Sequence, residues 1–358
     1  MNVGAVLEGS VRRSAHTIRI TAQLIKAVTG FHLWSKTYDR DLGDVLKLQI
    51  EIATAVAGAL KVTLLGDVAA QVELGGTRNP AAFGAYLRGA KAFSSRHDAQ
   101  DVPTAMAAYT EAIRLDPHYA LAFAARSIAL IAYADEVATG ASATAYYGKA
   151  QNDARQALAL APGNAQVLRV SSGYASYMGH ADAALAAARR AVVLDPLSRT
   201  SHDALGAALY AAHRYEEASV AFANVVSLEP GFNPAYGDLG LSYYGFGDLP
   251  KARASCEMKP DYWYGQQCLA VIYDKLGRHA DAQAELSRMT ASLGNAAAYQ
   301  YATIHAQWGN RVQALAWLER ALRLRDAGLI NLKTDPLLDP LRQEPRFQAI
   351  ERELKFPD

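Results

Sequence analysis

The sequence predicts an all-α solenoid of about seven antiparallel helix pairs, which follows a small α+β segment. A short phrase that ends in proline recurs along the chain, and Pro162, Pro196 and Pro230 are spaced by 34 residues. A fixed period of that length is typical of stacked helix pairs. By contrast, the first 75 residues contain stretches in which apolar and polar side chains alternate, as they do in strands. We therefore expect three parts, at residues 1–75, 80–326 and 327–358.

The amino-terminal part is expected to form three strands and one helix. Residues 4–12 and 17–24 alternate on either side of a turn-like Ser-Ala-His sequence, which predicts a β-hairpin. A second turn, at Thr29 and Gly30, precedes a third strand-like stretch, and residues 42–65 carry apolar side chains at helical spacing. The predicted order of elements is β-β-β-α.

Residues 199–230 show the repeated pattern most fully. Gly206 and Ala218 are small where the two helices of a pair are expected to cross closely, and Phe222 fills the space around that crossing. Pro230 is expected just after the second helix, because proline lacks the N–H group that a helix needs. The same pattern recurs before and after this segment and gives about seven units in all.

Two intervals depart from the period. Pro117 and Pro162 are 45 residues apart, which predicts an insertion around residues 135–142. Pro230 and Pro260 are only 30 residues apart, which predicts a shortened or kinked second helix in that unit.

The repeated positions resemble the tetratricopeptide repeat over about residues 80–326. The resemblance implies a right-handed superhelix whose concave face, lined by the first helix of each pair, holds a peptide or a partner protein. Carried over to this sequence, the residues of that face are Arg169, Tyr177, Asp203, Tyr210, Asp238, Tyr244, Tyr264, Gln267, Asp274, Tyr299, Gln300 and Gln307. Tyrosine combines a broad apolar ring with a hydroxyl group, which suits a peptide groove, but several of these rings could instead pack between adjacent helices. The carboxylate-binding variant of the family needs paired Lys and Asn positions that this face lacks, so capture of a carboxyl terminus is not expected.

A second resemblance concerns the amino-terminal part. Residues 6–13 and 18–25, together with Leu33-Trp34 and residues 38–40, resemble the end of the TolB-like amino-terminal domain. In bacteria that domain precedes tetratricopeptide repeats in proteins whose upstream part is an adenylate or guanylate cyclase or a winged-helix transcription regulator. The chain begins inside this module, so we expect an unpaired strand edge that favours self-association. The phrase at residues 335–347 is similar to the closing segment of such proteins and predicts a helical cap.

Composition and motifs argue against several other functions. A net charge of +1 does not favour nucleic acid as a partner, and no apolar run reaches the roughly 18 residues of a membrane span. The sequence as written has no export signal, which favours the cytoplasm, whereas an upstream membrane span would favour the periplasm. No catalytic residue, metal site or cofactor is predicted, because the zinc-helix, phosphate-loop and serine-elbow motifs are missing.

The two cysteines of the chain, Cys256 and Cys268, lie on either side of the turn at Pro260. Antiparallel helices could bring them together as a disulfide. The alternative is two buried thiols that serve as small apolar side chains.

The leading functional hypothesis is a non-enzymatic scaffold that binds a protein or peptide along a tyrosine-rich concave face. The alternative is the sensory or regulatory half of a bacterial signalling protein. In that case the effector domain, a nucleotide cyclase or a winged-helix regulator, lies outside these 358 residues.

Overall fold

The computed structural model of the protein describes residues 4–14, 17–41, 45–59, 76–95, 100–136, 141–354 and 356. The chain divides into two compact units, residues 1–123 and residues 124–358. No helix in these described stretches is both long and apolar enough to cross a membrane.

The amino-terminal unit contains a three-stranded antiparallel sheet. Its strands are β1 (Ala5–Arg13), β2 (Thr17–Lys26) and β3 (His32–Asp41), and they lie in the order β1-β2-β3. Helix α1 (Val45–Ala59) packs against β3, where Tyr38 of the strand and Leu48 of the helix are fully buried. The predicted β-β-β-α order is confirmed for these residues, and the rest of the helix expected over residues 42–65 lies outside the described residues.

Strand β1 is an edge of this sheet. It pairs with β2 on one side, and no other described strand pairs with its opposite edge. Val6, Leu7 and Val11 of β1 are exposed. Such an edge favours pairing with another chain, and self-association through it stays a prediction.

A first helix pair completes the amino-terminal unit. It consists of α2 (Pro80–Ser95) and α3 (Asp101–Leu115). The two helices cross at Gly89, where an added Cβ would lie 2.6 Å from the ring of Tyr109. Glycine is therefore needed for the close approach of these helices.

Six further pairs follow in the described part of the chain. They are α4 (Ala120–Glu136) with α5 (Ala141–Leu160), α6 (Ala165–Tyr177) with α7 (Ala181–Leu194), α8 (Arg199–Ala211) with α9 (Tyr215–Leu228), α10 (Pro234–Phe246) with α11 (Leu249–Cys256), α12 (Trp263–Lys275) with α13 (His279–Leu293), and α14 (Ala298–Gln307) with α15 (Arg311–Leu324). With α2 and α3 these make seven pairs among the described residues, as the period predicts.

The pair of α8 and α9 shows why the repeated residues are needed. An added Cβ at Gly206 would lie 2.8 Å from the ring of Phe222, and Ala218 is fully buried beside this crossing. Helix α9 ends at Leu228, and Pro230 follows two residues later. The small residues thus set the close crossing and the proline prevents continuation of the helix.

The two irregular intervals have different outcomes. Helix α11 has 8 residues whereas α9 has 14, so the shortened second helix is confirmed. In the longer interval α5 has 20 residues, so part of the extra length extends a helix instead of forming a loop. Residues 137–140 of the expected insertion lie outside the described residues.

The carboxyl-terminal segment contains two 3₁₀ stretches, Ala327–Asn331 and Pro336–Leu341, and helix α16 (Pro345–Leu354). In the second stretch Pro336 begins the turn, and the side chain of Asp335 accepts a hydrogen bond of 2.9 Å from the backbone N–H of Leu337. Leu338 and Phe347 are buried in the core formed with α14 and α15. In the described part of this segment residues 345–354 are α-helical, and a helical cap over residues 327–358 stays a prediction.

Candidate functional site

The first helices of five consecutive pairs line a cavity of about 360 Å³, which we call the central cavity. These helices are α6, α8, α10, α12 and α14, and further walls come from α9 and the carboxyl-terminal segment. Eight of the residues predicted for the concave face line this cavity: Tyr177, Asp203, Tyr210, Asp238, Tyr264, Gln267, Tyr299 and Gln300. Their helical spacing therefore brings side chains from five pairs to one site.

The other predicted residues lie elsewhere. Tyr244 and Gln307 line a neighbouring cavity of about 420 Å³, the side cavity, which also includes Tyr210. The hydroxyl of Tyr244 donates a hydrogen bond of 2.8 Å to Oε1 of Gln307. Arg169 and Asp274 line neither cavity. Asp274 instead accepts a hydrogen bond of 2.7 Å from the ring of His279.

Residues 331–341, which we call the strap, lie on the same face and were not predicted there. Pro336 and Leu337 of the strap line both cavities. The hydroxyl of Tyr299 donates to Oδ2 of Asp335 at 2.9 Å, and Nε2 of Gln307 donates to the carbonyl oxygen of Leu337 at 2.7 Å. Leu337 is only 4% exposed and packs in a core cluster with residues of α10 and α12. Part of the face is thus occupied by the chain itself.

The conformation of the strap is held from within by Arg342. Its guanidinium group donates hydrogen bonds of 3.0 Å to the carbonyl oxygen of Lys333 and 3.1 Å to that of Asp335. It also donates one of 2.7 Å to the carboxylate of Asp339. A rigid fork of donors suits this bridging of several oxygens.

His213 connects the strap to the turn between α8 and α9. Its ring nitrogen Nε2 lies 2.7 Å from Oδ2 of Asp339, within hydrogen-bond distance. The backbone of His213 has φ 59°, whereas Gly179 and Gly247, each 34 residues away, have φ 79° and φ 93°. A left-handed conformation is unfavourable for a residue with a Cβ. Position 213 thus carries histidine where the neighbouring turns carry glycine, and the ring of this histidine reaches the strap.

Three carboxylates give the central cavity an acidic lining: Asp203, Asp238 and Asp335. Burial, with the charge of Asp203 as the next cause, raises the pKa of Asp238 from 3.8 to about 7, although a hydrogen bond from Tyr264 opposes the shift. Burial also raises the pKa of Asp203, against the opposing charges of Arg199 and Arg169. It raises the pKa of Asp335 as well, despite hydrogen bonds from Leu337 and Tyr299.

The tyrosine hydroxyls of the site act as hydrogen-bond donors. Burial, reinforced by the neighbouring carboxylates, raises the pKa of Tyr210, Tyr264 and Tyr299 well above 10. Tyr264 donates to Oδ1 of Asp238 at 2.7 Å. Tyr299 is only 3% exposed, so it packs within the fold, whereas Tyr210 and Tyr264 are partly exposed in the cavity.

Helices α11 and α12 bring the two cysteines together. The Cα atoms of Cys256 and Cys268 lie 6.0 Å apart, their Sγ atoms are within bonding distance, and both side chains are fully buried. This Cα separation falls within the usual range for disulfides. A disulfide between them stays a prediction.

Sequence reasoning missed the strap residues and His213. The pattern of glycines contained a signal for His213, because the 34-residue spacing places it where Gly179 and Gly247 stand in neighbouring turns. Nothing in the periodicity indicated that residues 331–341 lie across the first helices, because they follow the last repeat. Among the described residues, no group of three or more His, Cys, Asp or Glu side chains could hold a metal ion.

Comparison with known proteins supports the fold. A tetratricopeptide repeat protein from Parabacteroides merdae ATCC 43184 matches 77% of this chain and 98% of its own, with a TM-score of 0.50 and 13% identity. This similarity shows that the chain has the fold of stacked helix pairs seen in tetratricopeptide repeat proteins, as the sequence predicted. The type IV pilus biogenesis factor PilW matches 60% of this chain and 94% of its own at a TM-score of 0.49 and 18% identity. A scan against models of known protein families found no match.

One curated relative is similar in sequence. It is named "Putative adenylate cyclase 3" and comes from Rhizobium meliloti (strain 1021). The two are 34% identical over 161 residues, which is 45% of this chain and 26% of the relative. The match thus spans about a quarter of the length of that relative.

We expect His213→Gly to loosen the strap without unfolding the repeats. The change removes the hydrogen bond to Asp339 and relieves the left-handed strain of the turn, so the helical content should stay the same. A hydrogen bond between partly exposed side chains contributes about 0.5–1.5 kcal/mol, which corresponds to a roughly 2- to 10-fold more favourable opening equilibrium. Hydrogen–deuterium exchange of peptides that cover residues 331–341 measures this opening. His279→Gly, which removes the bond to Asp274 away from the strap, is the matched control, and unchanged exchange in His213→Gly would contradict the role of His213.

We expect the free energy of unfolding to depend on pH through Asp238. Its pKa is raised to about 7 in the folded protein, so the folded state binds more protons than the unfolded state above pH 3.8. The stabilising contribution of the protonated acid is complete below that value and is lost as pH rises through 7. Asp238→Asn mimics the protonated acid and keeps an acceptor for Tyr264. The variant should therefore gain stability relative to wild type as pH rises from about 4 to 8, on the order of 1–3 kcal/mol, since a pKa unit corresponds to about 1.4 kcal/mol.

Urea unfolding of both proteins across this pH range measures the difference. Asp281→Asn removes an exposed carboxylate on α13 that is paired with Arg278, and it serves as the control. A difference between wild type and Asp238→Asn that does not change with pH would show that Asp238 is ionised throughout.

Proposed function

We propose that the protein is a non-enzymatic scaffold that binds a peptide segment of a partner protein in the central cavity and along the neighbouring first helices. The observation that carries the proposal is the convergence of side chains from five consecutive helix pairs on this one cavity. Peptide recognition by stacked repeats uses many shallow contacts along such a face.

The chemistry of the cavity supports a peptide as the ligand. Tyr210 and Tyr264 are partly exposed there and offer apolar rings with polar ends. Asp203 and Gln300 add acceptors for the backbone and side chains of an extended chain. The contacts of the strap support the proposal, because Gln307 donates to the carbonyl oxygen of Leu337 and Tyr299 donates to the carboxylate of Asp335.

The strap also restricts where a partner can bind. Tyr299 and Gln267 are almost fully buried, so the backbone of the partner peptide contacts the more open wall formed by α6, α8 and α10, and only a side chain of the peptide enters the cavity. On that wall Ala207 is exposed and lines the central cavity. A large side chain at this position would fill space that a peptide needs.

We expect Ala207→Trp to abolish peptide binding while the protein stays folded. Peptides selected from a random display library on the wild-type chain provide the ligands, and calorimetry measures their affinity. Loss of a central contact in an interface corresponds to at least about 2 kcal/mol, or a roughly 30-fold weaker affinity.

Ala186→Trp places the same side chain at an exposed position of α7 outside both cavities, and it should bind as wild type does. Failure to select any peptide, or equal binding by both variants, would contradict the proposed function.

A second candidate function is the regulatory half of a bacterial signalling protein. The specific observations are the 34% identity over 161 residues to a protein named as an adenylate cyclase and the sequence similarity of residues 6–40 to a TolB-like domain. In this case the repeats bind a partner and an attached effector domain responds. The two functions are compatible, since both use the same face.

The DNA immediately upstream of the codon for Met1 tests this second function. We expect an in-frame continuation that encodes the remainder of the TolB-like domain and an effector domain. An in-frame stop codon directly upstream would contradict it and would leave the scaffold function unaffected.

A further inference from the structure

We propose that the central cavity binds a basic side chain of the partner peptide, and that the guanidinium group of arginine matches it best. This inference rests on the proposed peptide-binding function. It specifies the chemistry that one position of the peptide must have.

Two carboxylates of the cavity form no salt bridge within the described part of the chain. Asp238 on α10 accepts a hydrogen bond from Tyr264, and Asp335 on the strap accepts one from Tyr299 and one from the backbone of Leu337. None of the salt bridges in the described stretches involves either carboxylate. Arg342 lies near Asp335 but donates to its carbonyl oxygen. A cationic ligand would therefore meet two acceptors that remain available for charge pairing.

The third carboxylate of the cavity, Asp203, lies near the positive charges of Arg199 and Arg169. The guanidinium group of Arg199 lies 3.9 Å from Asp203 but only 2.8 Å from Glu229. It also stacks on the ring of Phe232 at 4.0 Å. Arg199 is thus mainly committed to other groups, and the carboxylates left for a cationic ligand are those of Asp238 and Asp335.

An independent observation at the same cavity is the unpaired amide oxygen of Gln267. This side chain is 4% exposed and lines the cavity. Its Nε2 donates to Oγ1 of Thr303 at 2.9 Å, and the hydroxyl of Thr303 donates in turn to the carbonyl oxygen of Gln300. The hydroxyl proton of Thr303 is used there, so the orientation of the amide is fixed and its Oε1 has no hydrogen-bond partner. A buried acceptor without a donor is unfavourable, and a ligand that brings N–H groups would correct it.

The shape and rings of the cavity fit the same ligand. Its volume of about 360 Å³ lies at the lower end of the range for ligand pockets and leaves room for one long side chain. Tyr210 and Tyr264 line it, and the face of an aromatic ring attracts a cation. Arginine combines five donors in a planar group with a preference for stacking on such rings. An apolar or anionic side chain would leave the carboxylates and the amide oxygen unpaired.

The experiment compares peptides selected by different variants. A random heptapeptide display library is selected on the full chain and, in parallel, on Asp238→Asn. We expect wild-type selections to converge on peptides with Arg or Lys at one fixed position, and selections on Asp238→Asn to lose that position. In calorimetry, Asp238→Asn should weaken the binding of a wild-type-selected peptide about 10- to 100-fold, as removal of one partner of a buried charge pair does.

A double-mutant cycle makes the assignment specific. Replacement of the basic residue of the peptide by Gln should weaken the affinity as much as Asp238→Asn does. The two changes together should weaken it little more than either change alone. Asp335→Asn should act like Asp238→Asn. Asp281→Asn, which changes an exposed carboxylate outside the cavity, should bind as wild type does. Circular dichroism of each variant verifies that the helices are intact.

Other outcomes separate this inference from the function on which it rests. Selected peptides that bind through the cavity but carry no fixed basic residue would overturn the inference and support the proposed function. If the losses of affinity caused by the two changes are additive in the double-mutant cycle, the pairing of Asp238 with the basic residue is likewise overturned. If no peptide is selected at all, the proposed function fails, and the inference fails with it.

Discussion

The close crossing of the two helices within each pair is the constraint on which the rest of the carboxyl-terminal unit depends. An added Cβ at Gly206 would lie 2.8 Å from the ring of Phe222, and one at Gly240, in the next pair, would lie 2.1 Å from Sγ of Cys256. Because the pairs cross at positions 34 residues apart, their first helices present equivalent residues to one side. Tyr210 and Tyr244, which are 34 residues apart, therefore line the same side cavity.

The carboxyl-terminal segment covers the exposed end of the stacked helix pairs. The apolar side of the last pair has no following pair to cover it, and Leu338 and Phe347 provide that cover. The segment also lies over the first helices, where it buries Leu337 and makes several polar contacts. The left-handed His213, the guanidinium of Arg342 and the amide of Gln307 fix it at three separate points. The strap is therefore a specific part of the face, with Pro336 and Leu337 between the two cavities.

Most of the fold follows from the sequence, because its signals are local and repeated. Pro196 and Pro230 mark the ends of helices, Gly206 marks a crossing, and the short interval before Pro260 predicts the 8-residue helix α11. Eight of the predicted residues of the concave face line the central cavity for the same reason. The strap could not be predicted in this way, because its contacts join residues far apart in sequence, such as His213 and Asp339. Asp274 lines neither cavity and is instead bonded to His279, a local contact that the repeat pattern does not encode.

The composition of the cavity argues that its lining is not explained by packing alone. A segment that only covered the first helices would be most stable if it placed an apolar or basic side chain opposite Asp203 and Asp238. The strap instead adds Asp335, which increases the concentration of negative charge and leaves a carboxylate without a salt bridge. The buried oxygen of Gln267 also lacks a donor in the same cavity. Local departures from the most stable arrangement are typical of functional sites, where a ligand supplies the missing interactions. The unpaired acceptors and the acidic lining are the groups that the proposed basic side chain of a partner would pair with.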